Sequence, residues 1–547
     1  MKVYGICSQK ANIKQTGGGV IKLRKIKIIT VLLLLVLTVI FLVRCGAAPA
    51  AGRLMGLEGE TLAYARSQDS ITLDPAVAQD EESIKVISNI FEGLVRFRPG
   101  TTEIEPCLAE AWRVSSDGRE WTFFLRRNVK FHDGTPFNSE AVRFSIERQM
   151  TPFRQENTAY ASFTFGMVDK IKTPDPYTVK FILKFPYAPF LHNLAMPVSA
   201  PIVSPTAASV SGENFGDRPS GTGPYRFAGW KKGKTITLKA NKDYWGKPAD
   251  QHNLVFTVIK NSRLRSLALK LGLADIIDGI TPADARYLEQ KGYPVLRTPG
   301  FDLNYLGFFT DKKPFDNPAV RKAVHMLVDR GHINSVLFKG ASYEANGPLP
   351  PGILGYDPNI RPLPYDPVGA KELLAGSGYS GGMKITIITY TNSRPYNPAG
   401  GEKLAELLRE DLARGGIEAE IKAYPWNQYK EALFKEEGNA FLYGWISDNY
   451  DPDNFLYTLL ASSQIDNGLN TARYRNSDLD LILAKAQQEI EPAIREQLYQ
   501  RAVQIVIQDS PWIIFNHSLK LTAISPKVEG LVPYSAGYTF LNSVKKF

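Results

Sequence analysis

Beyond residue 300 the sequence alternates helix-like and strand-like segments, and this alternation restricts the fold more than any other feature. Asp316–Leu327 reads as a helix. Asp366 followed by Pro367 marks a second helix start, and that helix stops near Gly376. Ile385–Thr391 is β-branched and strand-like. Leu404, Leu407, Leu408 and Leu412 recur at helical spacing until Gly415-Gly416 ends the segment. Glu418–Ala423 is then a strand, Trp426–Phe434 a helix and Phe441–Ile446 a strand. Such a run of αβ units predicts a parallel or mixed sheet. Open α/β sheets bind ligands beyond the carboxyl ends of their strands. Two stretches follow predicted strands at that edge, Ser393-Arg394-Pro395-Tyr396-Asn397-Pro398 and Gly444-Trp445-Ile446-Ser447-Asp448. One offers a fixed cation, Arg394, and the other a carboxylate, Asp448, the pair a zwitterion needs.

The chain has 547 residues, too many for a single core, so two or more domains are expected. Residues 46–60 are small and Gly/Ala-rich and read as a flexible tether. The folded body is expected to start near Thr61. Leu108–Val114 reads as a short helix, Asp117-Gly118 as a turn and Glu120–Arg126 as a strand. Ser139–Met150 is predicted helical with Ser139 as its cap. Tyr177–Leu183, Tyr225–Trp230 and Thr235–Ala240 are strand-like, the second preceded by the turn cluster Gly221-Thr222-Gly223-Pro224-Tyr225. There is no internal repeat.

The net charge of +10 is concentrated at the N-terminus. Residues 1–44 carry eight basic side chains and no acidic one, which leaves 57 basic against 55 acidic residues in the rest. The body shows no basic stripe, so nucleic acid is not an expected partner. Arg24, Lys25 and Lys27 precede the apolar run Ile28–Val43, and Cys45 follows at once. Residues 1–45 therefore resemble a bacterial lipoprotein signal, which implies acylation of Cys45. Arg44 departs from that pattern, where a small residue is usual, and an uncleaved single anchor is the alternative. Gly17–Ile21 back-translates to a purine-rich stretch like a ribosome-binding site, which places an expected translation start at Leu23.

Cys7, Cys45 and Cys107 are the only cysteines, so no disulfide framework is expected and Cys107 reads as a buried helix-start residue. Gly378-Tyr379-Ser380-Gly381-Gly382 fits G-x-S-x-G, but it lies after a helix and before a strand, the reverse of a nucleophile turn. Asp448, Asp451 and Asp453 fail the spacing of a calcium loop, and capping and turn roles fit Asp451 and Asp453 better. The six histidines are scattered without zinc spacing, and there is no G-x-x-x-x-G-K-[ST] loop. No cofactor, resident metal or catalytic constellation is expected.

Several stretches, in order, resemble one family. They are Leu108-Ala109-Glu110-Ala111-Trp112 with Ser116-Asp117-Gly118, then Phe124-Leu125-Arg126 and Val129-Lys130-Phe131-His132-Asp133-Gly134-Thr135-Pro136. Gly221–Tyr225, Phe315-Asp316-Asn317-Pro318-Ala319-Val320-Arg321-Lys322-Ala323 and the Arg394 and Asp448 stretches complete the series. Over residues 61–545 the chain resembles the extracellular solute-binding proteins of the peptide/nickel type, family 5, which serve ABC importers. The resemblance implies an α/β, two-lobed clamshell of the periplasmic-binding-protein kind with mixed sheets and an extra sub-lobe. Lobe I would comprise 61–298 plus 512–547, with the sub-lobe at about 84–195, and lobe II 299–511. The crossings would lie near Pro299–Leu303 and Asp509–Trp512.

Among members, the Arg394 and Asp448 stretches look most like those of dipeptide-binding proteins. That likeness implies that Arg394 receives a peptide carboxylate and Asp448 the amino group. Tyr396 belongs to the same stretch, and Trp426 and Trp445 match tryptophans that line side-chain pockets in oligopeptide-binding relatives. A clamped cation and anion also set a ruler: at about 3.3–3.6 Å per extended residue, the pair admits about two or three residues. The alternative is that Arg394 and Asp448 pair with each other or with surface neighbours. The implied function is capture of dipeptides or short peptides outside the cytoplasmic membrane, by a monomer that docks on a membrane permease whose partner subunits hydrolyse ATP. Other cargoes of the family remain open: longer oligopeptides, glutathione, haem or a nickel-metallophore. A peptide-sensing receptor is a further alternative.

Overall fold

The computed structural model describes residues 60–150 and 159–547. The expected export signal, with Cys7, Leu23 and Cys45, and the expected tether as far as residue 59 lie outside the described residues. Strand β1 (Thr61–Arg66) opens the fold. A hairpin of β2 (Val95–Phe97) and β3 (Ile104–Pro106) precedes an antiparallel sheet of β4 (Ala109–Val114), β5 (Glu120–Leu125), β6 (Val168–Asp175) and β7 (Thr178–Leu183). The chain then returns beside β1 through β8 (Tyr225–Lys231), β9 (Thr235–Ala240), β10 (Asn253–Val258), β11 (Ile276–Ile277) and β12 (Val295–Pro299). Next come β13 (Asp302–Phe308), β14 (Ser342–Glu344), β15 (Met383–Tyr390), β16 (Ile417–Tyr424), β17 (Ala440–Ile446) and β18 (Trp512–Ile524). A last pair, β19 (Val528–Glu529) and β20 (Lys545–Lys546), closes the chain. Among the described residues no helix is long and apolar enough to cross a membrane.

Twelve strands join in one mixed sheet, whose main path runs β16-β15-β17-β13-β18-β11-β1-β10-β9-β8. Its pivot is β18. Residues Trp512–Asn516 of β18 pair antiparallel with β13, and Leu519–Ala523 pair with β12. One continuous strand therefore serves both halves. β13 is buried along its whole length, as expected of a strand covered on both faces.

The predicted αβ run matches the elements formed between 318 and 446. Asn317 caps the helix Pro318–Leu327 through Ala319 N at 2.9 Å, with Pro318 in the first turn, where its missing N–H costs nothing. Upstream, three readings need correction. Leu108–Val114 is not a helix. Its helix-forming Leu, Ala and Glu yield to cross-strand pairing, because β4 lines up with β5 from Ala109↔Leu125 to Val114↔Trp121. Cys107 is buried but stands before a strand, with Sγ 3.7 Å from Glu92 Oε1. At Ser139–Met150 the cap is Asn138, whose Oδ1 accepts from Ala141 N at 3.0 Å, while Ser139 Oγ donates to the Asp175 carbonyl at 2.7 Å.

The Gly221–Tyr225 cluster has a packing reason. A Cβ on Gly221 would sit 2.2 Å from the Ile90 carbonyl oxygen, at the end of the helix Glu81–Ile90, and one on Gly223 would sit 2.7 Å from the Ile90 carbonyl carbon. Both obstacles are backbone and cannot rotate away. Gly221→Ala is expected to destabilise the protein by about 1–3 kcal/mol, as overpacking does, seen as a lower urea midpoint with an unchanged slope.

Candidate functional site

Topology gathers three strand ends at one edge. β15 runs parallel to β16, and β17 runs parallel to β15 on its other side. The chain steps from β15 outward to β16 and then returns across to β17. In open α/β sheets such a reversal marks the place, at the carboxyl ends of the strands, where ligands bind. Arg394 follows β15, Trp426 follows β16 and Asp448 follows β17.

The Arg394 loop is pinned from below. Arg394 N donates to Asn397 O at 3.0 Å and Asn397 N donates back at 2.9 Å, which makes a tight turn. Asn397 is buried and its Nδ2 donates to the Tyr390 hydroxyl at 3.1 Å. Trp426 opens the helix Trp426–Phe434. The Arg394 guanidinium carbon lies 3.7 Å from the centre of the Trp426 ring. Trp426 in turn lies parallel to Tyr443, with ring centres 6.0 Å apart and planes 6° from parallel, while Tyr390 meets it edge-on at 5.8 Å. A cation stacked on an indole is attracted by the ring quadrupole and held flat. Its Nε is buried and finds no hydrogen-bond partner among the described residues.

Tyr396 is buried beneath this layer, against the bare Cα of Gly444. A Cβ there would come within 2.3 Å of the Tyr396 ring. Burial pushes the Tyr396 hydroxyl well above its ordinary pKa, and the Arg394 charge opposes the rise. Trp445 is half-buried on β17, and its indole N–H donates to Asn454 Oδ1 at 2.8 Å.

The Asp448 loop is built differently, as a polar knot. Ser447 N donates to Phe301 O at 2.8 Å, Tyr450 N to Ser447 Oγ at 3.2 Å and Asp451 N to Asn449 Oδ1 at 3.0 Å. Tyr450 has φ of 58°, a left-handed conformation that a bulky residue adopts only under constraint. Asp448 is half-buried between the buried residues Ser447 and Asn449. Asp451 N-caps the short turn Pro452–Asn454, as the sequence suggests, through Asp453 N at 2.9 Å.

Asp451 has a second role that sequence reasoning missed. Both its oxygens are 2.7 Å from Arg495, in the helix Pro492–Asp509. Burial alone would raise the Asp451 carboxyl, but the bidentate guanidinium outweighs it and holds the pKa below the usual value. No local signal marks Arg495, which stands 44 residues downstream.

The chain matches the model of the bacterial extracellular solute-binding proteins, family 5, over residues 103–467. It belongs to that family. Heme-binding protein A of Haemophilus influenzae is 34% identical to it over 500 residues, covering 87% of this chain and 91% of that protein. A dipeptide-binding protein of Pseudomonas aeruginosa is 33% identical over 516 residues, covering 89% and 96%. The solved structure of HbpA2 from Haemophilus parasuis superposes with a TM-score of 0.85 at 31% identity, covering 89% of this chain and all of that one. This family 5 protein is thus a solute-binding component of transport with the two-lobed α/β fold of its class.

The Asp448 loop carries a pH signature. Burial, then the neighbouring Asp451, pushes the Asp453 carboxyl up from 3.8 to about 7, while Arg495, Gln487 and Tyr187 oppose the rise. The folded protein keeps a proton there that the unfolded chain has already released. This contribution therefore favours the folded state at acid pH and is lost progressively as pH rises from about 4 to about 7. Asp453→Asn is expected to flatten that slope and to melt higher than wild type at pH 8 but not at pH 4, by calorimetry.

Proposed function

We propose that this solute-binding protein captures dipeptides and other short peptides outside the cytoplasmic membrane and delivers them to the permease of an ABC importer. The observation that carries this reading is the Arg394 guanidinium, held flat on Trp426 with a buried Nε left for an incoming acceptor. A carboxylate meets such a planar fork bidentately, and charge-assisted bonds of this kind are the strong ones. Asp448, on the neighbouring strand end, would take the cargo's ammonium. Trp426 and Trp445 would offer apolar surface to its side chains, and buried Tyr396 would support the floor. The similarity to the Pseudomonas aeruginosa dipeptide-binding protein supports the same class of cargo. Heme-binding protein A is about as similar, so haem is the second reading.

Binding would proceed by closure of two lobes, residues 61–298 with the C-terminal end against 299–511. The pairing of β18 supports crossings at Gly300–Phe301 and between Ser518 and Leu519. On this reading the return crossing would follow Asp509–Trp512, since Trp512–Asn516 is bonded to β13. A ligand that touches both lobes shifts the population toward the closed state.

Isothermal titration of the full-length protein in mild detergent, freed of bound cargo, tests the cargo. Ala-Ala should bind tightly, and its C-terminal amide and a pentapeptide poorly. Asp448→Ala or Arg394→Ala should each weaken Ala-Ala binding by about 2 kcal/mol or more, roughly 30-fold. Unchanged affinity in both variants, or tighter binding of haem than of any peptide, would sink this reading.

The export signal would leave Cys45 as the acylated N-terminus, tethering the body to the membrane through residues 46–60. Mass spectrometry of the membrane fraction should then find acylated Cys45 with nothing preceding it. A retained Ile28–Val43 segment would establish the uncleaved anchor instead.

A further inference from the structure

We propose that the helix Phe190–Ala195 positions Asp448 for the cargo amine, with Asn193 as the positioning residue. The inference rests on the peptide reading above and adds a control point outside the strand-end crevice. The helix touches the Asp448 loop from a part of the chain far away in sequence. Asn449, the residue after Asp448, is gripped at both ends of its side chain. Its Nδ2 donates to Asn193 Oδ1 at 2.8 Å across a separation of 256 residues, and its Oδ1 accepts from Asp451 N at 3.0 Å.

Asn193 is itself fully buried and held, with Nδ2 donating to the Phe163 carbonyl at 3.3 Å. Next to it, His192 Nδ1 lies 3.5 Å from the Asp451 carboxylate that Arg495 clamps. Just before the helix, Ala188 N donates to Gln487 O at 2.7 Å and the Tyr187 hydroxyl to Asp453 Oδ2 at 3.3 Å. Tyr450, between the two gripped residues, is the one in the left-handed conformation.

A loop with a bulky residue at positive φ relaxes unless its flanks are fixed, and Asn449 and Asp451 are those flanks. Asp448 sits one residue outside this span, so a slip of Asn449 moves it directly. Charge-assisted contacts depend on distance and angle, so displacement of Asp448 weakens recognition of the ammonium while the Arg394 end stays intact. The helix thereby sets selectivity for a free amino terminus without touching cargo.

The test reads the two ends of the cargo separately. The full-length protein is titrated with Ala-Ala, N-acetyl-Ala-Ala and Ala-Ala amide. The ratio of acetylated to free affinity reports the amine site, and the ratio of amide to free affinity reports the carboxylate site. Asn193→Ala should cut amine discrimination about five-fold or more and change carboxylate discrimination by less than about two-fold. In an Asp448→Asn background, Asn193→Ala should have no further effect on the amine ratio. Full amine discrimination in a folded Asn193→Ala protein would overturn the proposal, as would equal losses at both ends. If Asp448→Asn itself leaves the amine ratio unchanged, the peptide reading of Asp448 fails and the positioning proposal falls with it. If only Asn193→Ala is silent, the positioning proposal falls alone. Should Asn193→Ala not fold, Asn449→Ala removes the same bond from the other side and must give the same one-ended loss.

Discussion

The sharing of β18 between the two halves of the large sheet is the constraint on which the rest of the molecule depends. The first half of β18 is bonded to β13 and its second to β12, so the covalent chain of one strand joins the two half-sheets. Where β12 gives way to β13, the buried Asp302 carboxylate accepts from both the backbone amide and the hydroxyl of Ser518. Burial raises the Asp302 carboxyl above its ordinary pKa, and these two donors hold it back. Gly300 is required there because a Cβ would sit 2.2 Å from Ser518 Oγ and 2.6 Å from Asp302 Oδ2. This clasp lies where β18 changes partner from β13 to β12.

The two charges of the candidate site are prepared by opposite means. Arg394 is held by stacking, on a ring system that continues through Trp426 to Tyr443 and Tyr390. Its buried Nε finds no hydrogen-bond partner among the described residues, so that donor stays available. Asp448 is carried on a loop whose next residue, Asn449, is hydrogen-bonded at both ends of its side chain and which is tied to the buried Arg495–Asp451 pair. The bidentate Arg495 guanidinium outweighs the cost of burying the Asp451 carboxylate. The pair also fixes where the loop stands, because Asp451 is held at both oxygens.

Much of the second half of the chain was legible before any coordinates. Leu404, Leu407, Leu408 and Leu412 describe one helix face by their spacing alone, and Asp366-Pro367 marks a helix start by local chemistry. The strand-end placement of Arg394 and Asp448 followed from those elements. Leu108–Val114 was misread because its residues favour a helix in isolation, while its partner strand begins only after the Ser115–Arg119 turn. Asn193, Asn449 and Arg495 gave no warning for the same reason. Each is an ordinary polar residue whose partner lies tens or hundreds of residues away.

The sequence by itself determined the αβ succession, the strand-end position of the two charged loops and the membership of a solute-binding family. Those properties reside in periodicity, turn chemistry and contiguous motifs, all carried by neighbouring residues. Only the tertiary structure decided that Arg394 lies on Trp426, that β18 spans both half-sheets and that a distant helix grips the Asp448 loop. Each of these depends on which elements meet after folding. That is settled by the burial of whole faces and the satisfaction of buried polar groups, which no local stretch encodes.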